Sequence, residues 1–150
     1  MAEQLTFPKG FLWGVAGAAH QIEGNNVNSD AWLLEHVPGT PFVEPSGDAC
    51  DHYHHYADDI RLIASLGFNS YRFSLEWARI EPEEGEFSTA VLDHYRRMLA
   101  VCHEHKLTPI VTYNHFTCPR WFGAKGGWKC PPTPSISPVF ATARPLIWVI

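Results

Sequence analysis

Three short runs of this sequence place polar side chains among apolar and aromatic ones. An amide such as Gln21 can donate to one hydroxyl group and accept from its neighbour. An aromatic ring such as Phe116 suits the C–H face of a pyranose, while a polar tip such as His115 can bond the hydroxyl groups at its rim. These residue types favour carbohydrate binding. The runs are AAHQIEG, YRFSLEW and TYNHFTCPRW, at residues 18–24, 71–77 and 112–121.

Arg72 lies on a predicted strand and needs a partner for its charge. Side chains alternate along a strand, so Arg72, Ser74 and Glu76 share one face of residues 70–77. Glu76 is a poor partner because four strand residues span about 13 Å. A carboxylate is the usual partner of an arginine enclosed by a parallel sheet, so we expect Arg72 to point at a group from another strand.

Each of these residues also has an ordinary structural explanation. Local sequence favours a Gln21 that bonds the backbone of its own loop. Arg72 could equally form a structural ion pair. A lone histidine such as His115 is more often a core residue bonded to the backbone than a ligand-binding group. The local sequence leaves these alternatives open.

A fourth run, DACDHYHHYADD at residues 48–59, resembles a metal site in composition. On a helix His55 would lie near Asp51 and Asp59. However, the run begins a helix, where Asp is expected for capping, and no third element completes a coordination shell. We therefore expect neither a metal ion nor a cofactor.

The elements that must position these residues alternate between strands and helices. Helical spacing of apolar residues predicts one helix that ends at Gly67 and a second that begins at a Ser88 cap. This alternation predicts an α/β fold with a parallel sheet, whose carboxyl edge is where ligands bind. The predicted strands are residues 11–19, 70–77 and 109–116, with a loop rich in Asn, Pro and Gly at 24–47.

Composition excludes several classes of protein. A chain of 150 residues with 45% hydrophobic residues can form one globular domain. Its net charge of −5 argues against nucleic acid or an anionic membrane as a partner. No run approaches the ~20 apolar residues of a membrane span, and FLWGVAGAA lacks the basic flank of a signal peptide. Four scattered cysteines favour reduced thiols, so we expect a cytoplasmic location.

The last part of the sequence departs from this order. No Asp or Glu follows Glu104, and five prolines fall between Pro131 and the last residue. Those prolines exclude a long helix and a central strand. We therefore predict a domain at residues 1–128 and a divergent, disordered, Pro-rich tail at residues 129–150. We interpret the tail as a non-native ending, for example a frameshift.

Together the motifs resemble the N-terminal part of glycoside hydrolase family 1, the β-glucosidase and β-galactosidase family. FPKGFLWGVAGAAHQIEG is similar to the N-terminal signature of the family, and NSYRFSLEWARIEP to its second strand. PIVTYNHFTCPRWFGAKGGW is similar to the third strand and the loop that follows it. The resemblance covers residues 5–128, in order and at matching spacing.

The resemblance implies a fold and a set of roles. The chain would form about three βα units of a TIM (β/α)8 barrel that hydrolyses β-linked glycosides with retention of configuration and without a cofactor. Gln21 and His115 would bond hydroxyl groups of the non-reducing sugar, and Phe116 would border the sugar pocket. Arg72 would contact the catalytic nucleophile, which would be its carboxylate partner.

The catalytic carboxyl groups themselves are missing from this sequence. A retaining glycosidase needs two of them, about 5–5.5 Å apart. In the family they belong to an Asn-Glu-Pro motif after the fourth strand and a Glu-Asn-Gly motif after the seventh, and neither motif occurs here. We therefore expect the chain alone to be inactive. Two alternatives stay open: a sugar-binding or regulatory fragment without catalysis, and an artefact of gene prediction.

Overall fold

A computed structural model of the chain describes residues 6–129. The predicted tail lies, from residue 130 onwards, outside the described residues, and the boundary at residue 128 stays a prediction. The elements are β1 (Gly14–Ala16), α1 (Ala19–Ile22), α2 (Asp30–Glu35), α3 (His52–Ser65), β2 (Ser70–Ser74), α4 (Trp77–Ile80), α5 (Thr89–Glu104), β3 (Thr108–Thr112) and α6 (Arg120–Ala124), followed by a 3-10 turn at Gly127–Lys129.

The three strands form one parallel sheet in the order β1, β2, β3. Ser70 at the start of β2 pairs with Gly14 of β1 and with Thr108 of β3, so all three strands begin at the same level. Parallel neighbours need crossover connections, which α3 and α5 provide. The predicted α/β alternation is confirmed. The carboxyl ends of the three strands therefore meet at one edge of the sheet.

Local sequence signals determine where α5 begins and where α3 ends. The Ser88 hydroxyl accepts a hydrogen bond from the backbone N–H of Val91, so α5 begins at the predicted cap. After α3 the chain turns at Gly67, whose φ of +88° favours glycine, and the predicted end of that helix is confirmed. Within residues 6–129 no helix is both long and apolar enough to cross a membrane.

The main core lies between the sheet and helices α3 and α5. Central strand β2 contributes Tyr71 and Phe73, which pack with Ile60 from α3 and Met98 from α5. Each such buried side chain contributes about 1.5–3 kcal/mol to stability. A smaller cluster of Trp77, Cys118 and Phe122 packs between α4 and α6. Both clusters support the strand ends from which the loops emerge.

The first strand is shorter and more exposed than predicted. Of residues 11–19 only Gly14–Ala16 form a strand, and Ala19 already begins α1. The expectation of a strand buried on both faces is wrong, because Trp13 is 47% exposed and most of β1 is exposed. Among residues 6–129, β1 is an edge strand with β2 as its one neighbour.

The other two strands also end earlier than predicted. β2 stops at Ser74 because the Glu76 side chain accepts the backbone N–H of Ala78 and caps α4. The expectation that Glu76 shares a strand face with Arg72 is therefore wrong. β3 stops at Thr112, and Phe116 beyond it has a φ of +56°, a left-handed value that a continuing strand does not contain.

The predicted loop at residues 24–47 contains a helix, α2. Its cap is Ser29, whose hydroxyl accepts a hydrogen bond from the backbone N–H of Trp32 at 3.1 Å. A helix of six residues is not stable by its own propensity. Contacts from far along the chain hold it, because the Asp30 carboxylate accepts the N–H of Cys118 at 2.9 Å and Ser29 forms a bridge with Pro119.

His94 of α5 is buried among aromatic rings. It stacks on Tyr53 with 3.9 Å between ring centroids and meets Tyr56 edge-on at 5.0 Å. Its Nε2 atom has no hydrogen-bond partner among the described residues. Burial, reinforced by the positive charge of Arg97, lowers the pKa of His94 to about 4.

We expect His94 to make the fold sensitive to mild acid. The unfolded imidazole takes up a proton near pH 6.5 and the folded one only near pH 4, so the unfolded state binds the proton first as the pH falls. The loss of stability begins below about pH 6.5, is complete near pH 4 and amounts to about 3 kcal/mol. His94→Phe keeps a ring in the pocket and removes this contribution, so between pH 6.5 and pH 4 the free energy of unfolding of the variant should gain about 3 kcal/mol relative to the parent chain, as measured by urea denaturation.

The matched control is His103→Phe, because His103 is exposed on the same helix. Its pH profile should match that of the parent chain. A parent-like profile in His94→Phe would show that another group causes the acid sensitivity.

Candidate active site

The Arg72 guanidinium joins the ends of the strands. Its Nη1 donates to the carbonyl of Gly17 at 2.8 Å, its Nε to the hydroxyl of Thr112 at 2.7 Å, and its Nη2 to Nδ1 of His115 at 3.0 Å. Gly17 directly follows β1, Thr112 is the last residue of β3, and His115 lies in the loop after β3. The expectation that Arg72 points at other strands is confirmed, whereas no carboxylate pairs with it among residues 6–129.

The contact with Arg72 fixes the tautomer of His115. A guanidinium group can only donate, so Nδ1 of His115 must be the acceptor. The imidazole is then neutral and carries its proton on Nε2. That N–H is the group with which His115 can donate to a ligand hydroxyl.

The turn that carries His115 and Phe116 is strained. Phe116 has a φ of +56°, and the N–H of Thr117 donates across it to the carbonyl of His115 at 2.8 Å, which is the pattern of a γ-turn. Such a backbone costs about 1–3 kcal/mol at a residue other than glycine. The Phe116 ring is 53% exposed beside the His115 ring, with 5.3 Å between their centroids. An aromatic face is therefore presented to solvent at the sheet edge.

A buried acid holds the far end of this turn. The Glu76 carboxyl group accepts the hydroxyl of Thr117 at 2.9 Å and the backbone N–H of Ala78 at 3.1 Å. Burial raises the pKa of Glu76 to about 7, although these two hydrogen bonds act in the opposite direction. The sequence did not suggest this contact, because it depends on the early end of β2.

Gln21 reaches the same edge on α1. The first turn of α1 is fixed to the sheet because the backbone N–H of Ala19 donates to the hydroxyl of Ser74 at 2.8 Å. Gln21 is exposed, and its neighbour His20 meets the Phe116 ring with 5.9 Å between centroids. The structure therefore brings Arg72, His115 and Phe116 together, and Gln21 lies on α1, which follows β1 at the same edge.

His20 forms a buried pair with Glu35 at the end of α2. Its Nε2 lies 2.7 Å from the carboxylate, which also accepts the N–H and hydroxyl of Ser46. Burial would raise the pKa of Glu35, but the hydrogen bonds from Ser46 and His20 outweigh it and lower that pKa. Ser29 lies 3.4 Å from His20, yet it is fully buried and caps α2, so it is unsuited to act as a nucleophile. The pair ties the long β1–α3 connection to α1.

The other buried acids also serve the fold. Glu23 accepts from Arg79 at 3.0 Å and from the hydroxyl of Tyr95 at 2.8 Å, and burial raises its pKa despite the arginine. Glu81 accepts from Trp77 Nε1 at 2.7 Å and from a backbone N–H. Neither carboxylate contacts Arg72. Within residues 6–129 we therefore find no pair of carboxyl groups arranged around this site.

The histidine and aspartate run divides into separate contacts. His52 bonds Asp59 at 2.7 Å and, through its other ring nitrogen, the Tyr71 hydroxyl at 3.1 Å. His54 bonds Asp51 at 2.6 Å on the surface. In the part of the chain that the structure describes, no group of three such side chains could hold a metal ion.

A groove of about 650 Å³ lies between α2 and α6, away from the strand ends. Glu83 and Arg120 also line it, but three of its polar groups are already used by the protein: the Asn28 amide and Trp121 Nε1 donate to backbone carbonyls, and Asp30 accepts a backbone N–H. Fewer groups are left there to fix the orientation of a ligand. We therefore place the candidate site at the strand ends.

Comparison with known proteins decides the family. The family model for glycosyl hydrolase family 1 matches residues 3–141. The chain belongs to this family. The resemblance inferred from the three motifs is confirmed.

Curated relatives in family 1 are longer than this chain. Thermostable beta-glucosidase B of Thermobispora bispora is 45% identical over 132 residues, which are 85% of this chain and 28% of the relative. Beta-glucosidase A of Acetivibrio thermocellus is 41% identical and matches 84% of this chain and 30% of its own length. The chain thus spans less than a third of these relatives.

Solved structures of family 1 enzymes share the fold. Beta-glycosidase BGL167 superposes with a TM-score of 0.87 at 62% identity, over 94% of this chain and 35% of that protein. The family 1 β-glucosidase of Thermotoga maritima superposes with a TM-score of 0.80 at 40% identity, over 90% of this chain and 31% of that protein. The expected fold, an N-terminal part of a TIM barrel, is confirmed.

We predict that Arg72→Lys loosens this edge of the sheet. Lysine keeps the charge but cannot donate to three diverging acceptors at once. The free energy of unfolding should fall by about 2 kcal/mol, measured by urea denaturation. The control is Arg61→Lys, in which the replaced side chain is 61% exposed in an ion pair with Asp58 and should change the free energy by less than about 0.5 kcal/mol. Equal losses in both variants would contradict a special role for Arg72.

Proposed function

We propose that this chain forms the part of a family 1 β-glycosidase that binds the non-reducing sugar of a β-linked glycoside or oligosaccharide. The observation that carries the proposal is the Arg72–His115 contact at the carboxyl edge of a parallel sheet in a family 1 chain. Ligands of parallel α/β folds bind at this edge. Exposed Phe116 next to that contact and exposed Gln21 on α1 supply the remaining chemistry.

Each side chain has a role that suits its surroundings. His115 donates from Nε2 to one sugar hydroxyl, and the Gln21 amide donates to one hydroxyl and accepts from the next. The exposed face of Phe116 packs against the C–H groups of the sugar ring. Arg72 holds the catalytic nucleophile, whose carboxylate would accept from the guanidinium and stay ionised there.

Hydrolysis with retention requires two further carboxyl groups. One acts as acid and then base, while the other attacks the anomeric carbon and forms a glycosyl–enzyme intermediate that water later hydrolyses. The buried acids Glu23, Glu76 and Glu81 are used by the fold and do not contact Arg72. We propose that the chain binds without hydrolysing, and that the two carboxyl groups belong to other parts of a family 1 enzyme.

Relatives support the ligand class. The β-glucosidase of Thermotoga maritima has been solved in complex with castanospermine and with deoxynojirimycin. The roles assigned here need neither a metal ion nor a cofactor. A cytoplasmic location also stays a prediction, supported by the free thiols of Cys50, Cys102 and Cys118.

A sugar-binding or regulatory fragment is the second candidate. It is favoured by the observation that Arg72, His115 and Phe116 are assembled within residues 6–129 alone. Both candidates predict sugar binding; this one needs no other part of a family 1 enzyme, so it also requires a cooperative thermal transition of the 150-residue chain by itself. Absence of a cooperative transition would exclude it.

We predict that the 150-residue chain does not release nitrophenol from a chromogenic β-glucoside. The reason is that no carboxyl pair flanks the site among residues 6–129, and loss of a nucleophile alone removes about six orders of magnitude of rate in a well-studied hydrolase. The measurement is initial rate against a buffer blank. Turnover that disappears in Gln21→Ala would refute the prediction, because contaminating enzyme would be insensitive to that change.

We also predict weak binding of deoxynojirimycin by the same chain, detected by saturation-transfer NMR. His115→Ala should weaken the binding about two- to tenfold, because the Nε2–H donor is lost. His36→Ala, a change at an exposed histidine of the C-terminal end of α2, should have no effect. Equal signals in the two variants would mean that the sugar does not bind at the strand ends.

A further inference from the structure

Glu76 is a fully buried acid that the proposed sugar contacts do not use. Its carboxyl oxygens accept separately, one from the backbone N–H of Ala78 at 3.1 Å and the other from the hydroxyl of Thr117 at 2.9 Å. Its own backbone N–H donates to the hydroxyl of Tyr95 at 2.9 Å. Because α4 and α5 hold Glu76 in this way, the carboxyl group is a fixed point within the fold.

Thr117 connects the Glu76 carboxyl group to the strained turn. Its N–H donates to the carbonyl of His115 at 2.8 Å across Phe116, whose φ is +56°. At the other end of the turn, Arg72 holds the His115 ring at 3.0 Å. A backbone in this region persists only where its surroundings fix it at more than one point. The two points here are Arg72 and the Glu76–Thr117 hydrogen bond.

We propose that Glu76 is a positioning residue for the sugar-facing turn: its buried carboxyl group holds Thr117 and thereby sets the places of His115 and Phe116. The link to sugar binding rests on the proposed function, whereas the positioning itself does not. Glu76 acts through Thr117 and does not touch the sugar. The hydrogen bond to Thr117 is strongest when the acceptor is ionised, so the turn responds to the ionisation of Glu76.

The surroundings of Glu76 set the pH at which this response occurs. Burial raises its pKa to about 7, and the negative charge of Glu23 adds to that rise. The pKa is lowered by the hydrogen bonds from Thr117 and Ala78, and by the charge of His20. The Tyr95 hydroxyl and the Cys118 thiol also face this group, and burial raises the pKa of each, so neither ionises near neutrality. Glu76 therefore ionises near pH 7.

The test follows backbone amide signals of the 150-residue chain by 1H–15N NMR between pH 5.5 and 8.5. We expect the amides of Phe116, Thr117 and Ala78 to shift together with a midpoint near pH 7. Glu76→Gln keeps the size and one acceptor but cannot ionise, so all three shifts should disappear. Thr117→Val removes only the hydroxyl, so the shift should persist at Ala78 and disappear at Phe116.

The matched control is Glu81→Gln, which changes another buried acid that bonds Trp77 and not the turn. It should leave the three shifts unchanged. A shift at Phe116 that persists in Glu76→Gln would overturn the proposal, as would loss of cooperative unfolding in that variant, because the acid would then support the whole fold. If the shifts behave as expected while deoxynojirimycin does not bind, the positioning role stands and the proposed function fails.

Discussion

The charge of Arg72 must be satisfied inside a sheet that contains no carboxylate for it among residues 6–129. The chain meets this constraint with the Gly17 carbonyl after β1, the Thr112 hydroxyl at the end of β3 and the His115 ring in the loop after β3. A planar fork of donors suits three such acceptors, where an ammonium group would not. The same contacts leave the His115 Nε2–H free to face a ligand. Structure and binding chemistry thus depend on one guanidinium group.

Buried acids form a second layer beneath this arrangement. Each is held by donors from distant parts of the chain: Glu23 by Arg79 and Tyr95, and Glu76 by Thr117. Burying an acid is costly unless its hydrogen bonds are complete, so these contacts define one geometry rather than several. The strained backbone at Phe116 is maintained by that geometry. Rigid support of this kind is what a binding surface requires before its ligand arrives.

The sequence predicted the features that depend on local signals. The Ser88 cap and the turn at Gly67 were found because both signals lie within a few residues of the helix end that they set. The three motifs led to the family and to a partial barrel, and the family match supports both. Strand ends were misjudged because they depend on contacts made after folding, such as the capping by Glu76 and the φ of Phe116. The partners of Arg72 depend on sheet register, which a single sequence does not reveal.

The most direct test of this account is the tautomer of His115, read from the 15N chemical shifts of its imidazole ring in selectively labelled chain at neutral pH. His115→Gln identifies the signal. The account predicts a neutral ring with the proton on Nε2, and a mixture of tautomers in Arg72→Lys. A proton on Nδ1, or a ring unaffected by Arg72→Lys, would contradict the claim that Arg72 organises the site.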